Sequence, residues 1–356
     1  MLAYFLLMAG IAACAISFRR HFGWPVRIMA FSVLTIFSGL RLEVGPDWYS
    51  YIEYYNFLVS GMARFGLFDE PLFSILSITA ERTGIGIVGV NLLCAAIYFV
   101  GLLWLGSKVQ YPWLLIAIAF CYYVPAVPMG IIRQAAAVGI CYIVVATEKN
   151  LSLHWRIGLA FIAIGFHVSA FVVLGLVMAS IRIPLWQRGL LGVLAIVLAV
   201  SFDISDQGLF ALYGERYIGE EAAITATASV MHWALVGVPG AWYLFKWKHL
   251  KQRGLDSEIM LIGSICSVAL LALLPISTVA VTRLAMYFSF VPMIAAGVLA
   301  ASLETRFYRL VVTLGCVIAA CAVLAVWLLY AENSYAYYPY RNILTEDRSV
   351  QQVYIP

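Results

Sequence analysis

The stretch GIVGVNLLCAAIYFVGLLWLG, residues 86–106, is a long apolar run without a single charged side chain. At 1.5 Å per residue a helix over this run measures about 31 Å. That length matches the ~30 Å hydrocarbon core of a lipid bilayer. A helix satisfies its own backbone hydrogen bonds where water is absent, so the run predicts a membrane-spanning helix.

Similar runs recur along the chain, in which 64% of the 356 residues are hydrophobic and only 11% are charged. A soluble domain of this length needs more polar surface. No polar segment is long enough to fold alone, so residues 1–356 predict one integral membrane domain, an all-α bundle with ten full spans. The predicted spans are 2–18, 26–40, 86–106, 112–128, 131–146, 187–203, 229–245, 258–275, 284–302 and 309–330.

Two further apolar segments do not fit simple spans. Residues 71–84 are too few to cross a bilayer, and we expect a helix that lies on or dips into the outer leaflet. Residues 156–181 contain GFHVSA (165–170) in the middle, and each half would form only ~18 Å of helix. We therefore expect a broken re-entrant hairpin with its tip deep in the membrane, covered by protein or by a wet cavity.

Charge separates the loops into two groups. Under this topology 14 of the 22 basic residues, including all five lysines, lie on one side with only four of the 18 acidic residues. The positive-inside rule makes that side cytoplasmic. Both termini, including an outer tail over 331–356, then face outward. The polar motifs described below then lie on the outer side of the membrane.

Several classes of site are excluded by what the sequence does not contain. There is no P-loop, GxSxG, HExxH or glycine-rich dinucleotide motif, and the cytoplasmic loops are too short for a nucleotide-binding domain. The seven cysteines all lie inside apolar runs without a CxxC pair, which argues against disulfides and thiolate metal sites. We expect no metal, no cofactor and no nucleic-acid partner.

Four polar motifs share the outer depth of this topology. They are GLRLEVGPDWYSYIEYYNF (39–57), GIIRQAAA (130–137), GFHVSA (165–170) and TRLAMYF (282–288). The candidate binding residues within them are Arg41, Arg133, Gln134, Arg283, Tyr51 and Tyr287, and the candidate catalytic residues are Asp47 and His167.

The chemistry of these residue types suits a diphosphate at the membrane surface with sugar groups beside it. A guanidinium binds phosphate oxygens through a planar fork and keeps its charge when partly dehydrated. Three arginines around one cavity would suit a diphosphate, His167 could take a proton from a hydroxyl, and Asp47 could hold an arginine or contact sugar hydroxyls. Aromatic side chains such as Tyr51 can stack on sugar rings.

Purely structural roles remain open for each candidate. Arg41 at a helix end is typical of an interfacial anchor whose charge reaches water. Arg133 and Arg283 could be held in structural ion pairs, and His167 could be a hydrogen-bonded packing histidine. Tyrosines near a membrane surface usually belong to the aromatic belt.

The ordered set RLEVGPDWYSY (41–51), IRQAAA (132–137), FHVSA (166–170) and TRLAMYF (282–288) resembles the scattered motifs of the EpsG-like family. That family consists of bacterial membrane proteins related to Wzy-type polysaccharide polymerases. The similarity extends to the late YYPYRN (337–342). One departure is Pro46 in VGPD, where a small or hydroxyl residue is expected, and the local turn is thereby in doubt.

The resemblance implies an enzyme that joins polyprenyl-diphosphate-linked oligosaccharides at the outer face of the inner membrane, for exopolysaccharide, capsule or O-antigen. It implies an all-helical C-type glycosyltransferase without a metal, and a chain-length regulator as a further partner. The family roles would give Arg41, Arg133 and Arg283 to the donor diphosphate. His167 would be the base or an acceptor-hydroxyl ligand.

Two rival functions are open. A membrane acyltransferase that modifies glycans is also helical, but such proteins usually pair an early arginine with a histidine, and the early motif arginine, Arg41, has no histidine beside it. A lipid-linked sugar transporter or flippase predicts polar residues at mid-membrane and repeat-related halves. The polar motifs of this chain lie at one face, and no repeat is visible.

Overall fold

The computed structural model describes residues 1–18, 22–66, 69–181, 184, 187, 231, 233–272, 278–331 and 333–346. These residues form helices and short turns, and the described part contains no strand. The helices are α1 Leu2–Ser17, α2 Trp24–Gly39, α3 Trp48–Phe57, α4 Pro71–Arg82, α5 Gly86–Gly106, α6 Pro112–Ala126, α7 Ile132–Ala146, α8 Leu153–Phe166, α9 Phe171–Ala179, α10 Val238–Gln252, α11 Glu258–Leu271, α12 Thr278–Ala285, α13 Phe290–Ala301 and α14 Arg306–Tyr330.

Helix length qualifies the predicted span count. Among the described residues, α5 and α14 are long and apolar enough to cross a membrane, and α12 with α13 would count as a third span bent by 43°. Seven other apolar helices, including α1, α2 and α7, have between 10 and 17 residues. The chain is thus a helical protein of membrane type. The predicted span 187–203 falls outside the described residues apart from residue 187.

Helices α5 and α7 form the centre of the bundle. They cross at Gly101 and Gly139, where a Cβ on either glycine would overlap the main chain of the other helix. Small residues allow such close approach of helices in apolar surroundings. Most of α5 is buried inside the protein, whereas only 28% of an 18-residue apolar stretch of α14 is buried. Helix α14 therefore lies at the periphery with an apolar outer face.

The segment predicted as a broken hairpin does fold as one. Helix α8 ends at Phe166, His167 is extended with φ −157° and ψ 127°, and a short 3₁₀ turn leads into α9. Arg156 Nη1 donates to Ser180 Oγ at 2.9 Å, which joins the two open ends of the hairpin. The arms have 14 and 9 residues, about 21 and 14 Å. Neither arm is long enough to cross a ~30 Å core.

Helix α4 realises the short helix predicted over 71–84. It packs against α5 and α8, and its first turn lies over the hairpin tip, where a Cβ at Gly165 would lie 2.8 Å from the Leu72 side chain. Residues just before α4 are therefore held beside the tip.

The predicted helix over 284–302 begins differently in the structure. Arg283 lies in the last turn of α12, the 3₁₀ turn Met286–Phe288 follows, and α13 begins only at Phe290. Arg283 and Tyr287 thus lie in the helical piece before the 43° bend, and the predicted span 284–302 is not one straight helix. Proline lacks the donor that continues a helix and is tolerated in a first turn, which suits Pro292 near the start of α13.

The tail returns to the loop that follows α2. The amides of Leu42 and Gly45 donate to the carbonyls of Arg341 and Ala336 at 3.0 and 2.8 Å, and Ile343 N donates to Leu40 O at 2.9 Å. These bonds fix residues 39–45 from outside, so the loop is part of the folded core.

Candidate functional site

The loop between α2 and α3 is shaped by a close approach of backbones. Gly45 has φ +109°, and a Cβ there would overlap the carbonyl oxygen of Met129. Only glycine combines that dihedral with that contact. Pro46 follows without preventing the turn, and α3 begins at Trp48. The loop consequently brings Asp47 next to the segment that leads into α7.

Asp47 occupies the N-cap position of α3 but makes no capping hydrogen bond with its side chain. An aspartate there usually accepts from the first-turn amides and stabilises the helix by ~1 kcal/mol. Instead its Oδ2 lies 3.4 Å from Nη2 of Arg283. Both side chains are about one-third exposed, at 34% and 29%. This pair lies at the surface of the site.

Glu70 lies at the centre of the site, and the sequence analysis missed it. Its Oε2 pairs with Nη1 of Arg133, and its Oε1 contacts Nδ1 of His167. The residue is 3% exposed. Its backbone is left-handed, with φ 52° and ψ 55°, a conformation that is uncommon outside glycine and asparagine. The fold therefore holds one carboxylate between an arginine and a histidine from two other elements.

The charge state of Glu70 follows from those partners. Burial alone would raise the pKa of this carboxyl, but Arg133 and His167 more than offset that effect and lower the pKa to about 2. Glu70 is therefore ionised at neutral pH. The available sequence signal was an acidic residue directly before Pro71, where proline at the first helical position marks a helix start.

Arg133 lies in the first turn of α7 and is 24% exposed. Its guanidinium carbon lies 4.7 Å from the ring centroid of Tyr54 and 5.7 Å from that of Tyr51. Such cation–π contacts add to the ion pair and orient the planar group. Tyr51 thus lies beside an arginine, and only 8% of it is exposed, so in this geometry it offers little surface for the predicted stacking on a sugar ring.

Two further candidates connect elements of the site beneath its surface. Gln134 is 1% exposed, and its Nε2 donates to the main-chain carbonyl of Arg283. Tyr287 is fully buried, and its hydroxyl lies 2.9 Å from Ser169 Oγ at the hairpin tip. In this geometry both residues hold α7, the hairpin and the α12–α13 break together and do not face solvent.

Arg41 differs from the expectation of a phosphate ligand. It is 1% exposed, its Nε donates to Val44 O at 2.9 Å, and its Nη1 donates to Ser38 O at 2.8 Å. Burial lowers the pKa of Arg41 to about 10, so it stays charged at neutral pH. The geometry favours a packing role at the end of α2, which differs from the interfacial anchor that the sequence had left open, because the guanidinium does not reach water.

Five side chains form two ion-paired groups, Glu70 with Arg133 and His167, and Asp47 with Arg283. The bond from Gln134, next to Arg133, to the Arg283 carbonyl links the two groups, which together we call the charged cluster. Its members are Asp47, Glu70, Arg133, His167 and Arg283. They come from five regions distant in sequence and join all four of the predicted motifs to the loop before α4. The second candidate histidine, His232, and most of the acidic loop 203–228 lie outside the described residues.

Charge balance decides what the cluster can do. Its two arginines face two carboxylates, so each guanidinium group already has an anionic partner. An incoming anion would have to share or replace a carboxylate partner. The contact at Nδ1 of His167 leaves Nε2 for another partner, a division of roles that lets a carboxylate orient an imidazole for proton transfer.

Fold and cluster together define a helical protein of membrane type with a buried carboxylate–histidine pair and two arginines at one end. The match to the family model supplies the identity: residues 25–342 match the EpsG family, and the chain belongs to it. The resemblance carried by the four motifs is thereby confirmed. No curated protein and no solved structure matches the chain.

Proposed function

We propose that this protein is a polysaccharide polymerase. It joins oligosaccharide repeat units carried on polyprenyl diphosphate at the outer face of the bacterial inner membrane, in the synthesis of exopolysaccharide, capsule or O-antigen. Membership of the EpsG family supports a membrane protein of exopolysaccharide synthesis. The charged cluster supports group transfer from a phosphorylated donor.

The proposed reaction assigns a task to each member of the charged cluster. An acceptor sugar hydroxyl attacks the anomeric carbon of the donor, a new glycosidic C–O bond forms, and the bond to the diphosphate oxygen breaks. The departing polyprenyl diphosphate carries the negative charge that develops. Arg133 and Arg283 stabilise that charge, which is the largest catalytic contribution such a site makes.

His167 accepts the proton of the acceptor hydroxyl at Nε2. Glu70 is a positioning residue, because it binds Nδ1 and offsets the charge that the imidazole gains. Asp47 holds Arg283 toward the site and, as the more exposed carboxylate, contacts acceptor hydroxyls. The observation that carries the proposal is the single carboxylate of Glu70 shared by His167 and Arg133.

The distribution of basic residues supports an orientation with this end of the bundle outside the cell. The other end carries Lys108, Lys149 and the basic C-terminal turn of α10. The positive-inside rule would make that end cytoplasmic, and donor units would then be joined on the periplasmic side. The lipid bilayer and a chain-length regulator are the further partners of this proposal.

A comparison of histidine variants in cells tests the proposal. His167→Ala should abolish polymer and leave lipid-linked single units to accumulate, because loss of a general base costs ~10²–10⁴ in rate. His154→Ala is the matched control, since His154 lies at the start of α8, at the opposite end of the hairpin. Polymer length would be read on glycan gels, with membrane levels of each variant measured in parallel.

The outcome separates the rival functions. Normal polymer from His167→Ala at normal protein levels would refute the catalytic assignment. Full-length polymer lacking an acyl substituent would indicate a glycan acyltransferase. Units retained on the cytoplasmic side would indicate a flippase.

A further inference from the structure

A groove between α2 and α5 lies at the end of the bundle remote from the charged cluster. It is formed by the first turns of α2 and the last turns of α5, and its volume is about 380 Å³. Helix α2 has 16 residues, about 24 Å of helix, and its far end leads into the site loop. The groove is therefore a separate feature of the molecule.

Two cations lie at the head of the groove without carboxylates to balance them. Arg27 and Lys108 line it, and no acidic side chain does. The Nε of Arg27 is buried without a hydrogen-bond partner, and neither residue forms an ion pair within the described part of the chain. An unpaired buried donor on a charged group is costly. The arrangement is favourable only with an anion present.

The position of Arg27 reinforces this requirement. It lies in the first turn of α2, where the helix dipole disfavours a positive charge. A bound anion would interact favourably with both the guanidinium and the helix end.

The walls of the groove are apolar and open outward. Trp24, Ile28 and Trp104 are 68%, 53% and 46% exposed, and Val100 continues the apolar surface one turn deeper. A volume of 380 Å³ equals roughly a dozen water molecules at ~30 Å³ each. That is too large for a lone ion and is enough for a headgroup with its glycerol backbone.

We propose that this groove binds an anionic phospholipid with an uncharged headgroup alcohol, such as phosphatidylglycerol. Its phosphate lies between Arg27 and Lys108, and its acyl chains run along Ile28 and Val100. A choline or ethanolamine headgroup would bring its own ammonium close to the two cations and bind more weakly. Basic pockets between apolar helices bind anionic headgroups by the same electrostatics. This site is independent of the proposed polymerase activity.

Lipid titration of the purified, delipidated full-length protein tests the proposal. Native mass spectrometry would count bound phosphatidylglycerol and phosphatidylcholine of identical acyl chains. The wild-type protein should retain one phosphatidylglycerol preferentially. Arg27→Gln or Lys108→Gln should each weaken that preference about fivefold, and the double variant about 25-fold, since each basic residue near an anionic headgroup contributes a comparable attraction.

The matched control removes the same charge from the same end of the molecule. Lys248→Gln with Lys251→Gln lies in the last two turns of α10, does not line the groove, and should leave the preference unchanged. An equal loss of the phosphatidylglycerol preference in this control would show that the preference reflects the net charge of that end, and would overturn the site. Equal binding of both lipids to the wild type would also overturn it, as would displacement by inorganic phosphate at equal concentration.

A second measurement covers the case in which the double variant does not fold. Phosphatidylglycerol brominated on the acyl chains near the glycerol should quench wild-type tryptophan fluorescence more than brominated phosphatidylcholine does. The difference should shrink in Trp24→Phe and Trp104→Phe, and should persist in Trp155→Phe at the start of α8. A quenching difference as large in both groove variants as in the wild type would refute the site.

Discussion

Glu70 is the residue on which the candidate site depends most. A buried carboxylate is strongly unfavourable unless it is paired and hydrogen-bonded, and Glu70 is paired by two groups from other elements. Its left-handed backbone conformation is a further local cost, of order 1–3 kcal/mol. Features that cost stability and persist in a fold often serve function, which is why we treat this residue as part of the site.

Replacing Glu70 by glutamine removes the negative charge and keeps nearly the same side-chain shape, so it tests the contribution of the charge alone. The substitution leaves Arg133 and His167 without their shared anion, and we expect a loss of about 3 kcal/mol in unfolding free energy. Polymer formation should fall as well, because the imidazole loses its orienting partner. Thermal unfolding in detergent measures the first effect, and Glu53→Gln in the neighbouring α3 is the control. An unchanged melting temperature would contradict the central role of Glu70.

The lowered pKa of Glu70 also predicts a pH dependence. Because its pKa is about 2 in the folded protein and ~4.5 in an unfolded chain, its contribution is complete above the unfolded value. It is lost as pH falls from about 4.5 toward 2. The wild type should lose more stability across that window than Glu70→Gln does. If the unfolding free energies of the two proteins fall equally with pH across this window, the ion pairs of Glu70 contribute nothing to stability.

The arginines of the cluster should not tolerate lysine. Arg133→Lys or Arg283→Lys keeps the charge but loses the planar fork and, for Arg133, the stacking on Tyr54. We expect polymer to fall roughly ten- to hundredfold, since hydrogen bonds to charged groups contribute about 1.5–3 kcal/mol each. Arg64→Lys, at an exposed position before α4, serves as the control. Wild-type polymer in both site variants would favour purely structural ion pairs.

At the scale of elements, close packing of α5 on α7 positions Arg133. Gly101→Ala places a methyl group into the carbonyl of Gly139, and backbone cannot move aside as a side chain can. We expect a loss of about 1–3 kcal/mol or more and a displaced α7. Gly158→Ala in α8 is the matched control, because nothing lies within 4 Å of its Cβ. Equal thermal stability of the two variants would refute this packing account.

The elements also show which parts of the fold the sequence could predict. The run over 86–106 became a helix with the predicted bounds, and the short helix before it and the broken hairpin were both foreseen, since length and apolar periodicity decide such features. The break after Arg283 was missed because residues 284–302 read as one apolar run. Apolar composition does not reveal where a backbone changes direction.

The candidate site shows the same limit. The motifs directed attention to Asp47, Arg133, His167 and Arg283, which the structure places in ion pairs, since intramembrane or near-membrane charges are informative. The sequence analysis did not identify Glu70, because its role depends on contacts with residues 63 and 97 positions away in the chain. Arg41 was assigned to the donor because sequence alone cannot distinguish a buried guanidinium from an exposed one.

For the whole molecule, orientation in the membrane is the next testable property. Tyr49→Cys lies near the charged cluster and Trp155→Cys at the opposite end, both at exposed positions. An impermeant maleimide should label the first in intact cells and the second only after permeabilisation, with the wild type as the background for its own cysteines. The reverse labelling pattern would place the site in the cytoplasm and contradict a periplasmic polymerase.

Polymer synthesis by the purified protein tests the central claim most directly. The wild type, reconstituted in lipid vesicles with polyprenyl-diphosphate-linked repeat units, should convert them into longer chains and release polyprenyl diphosphate without added metal or nucleotide. His167→Ala in the same vesicles should leave the units unextended, while His154→Ala should match the wild type. Failure of the folded wild type to extend any unit, or equal extension by His167→Ala, would contradict the account.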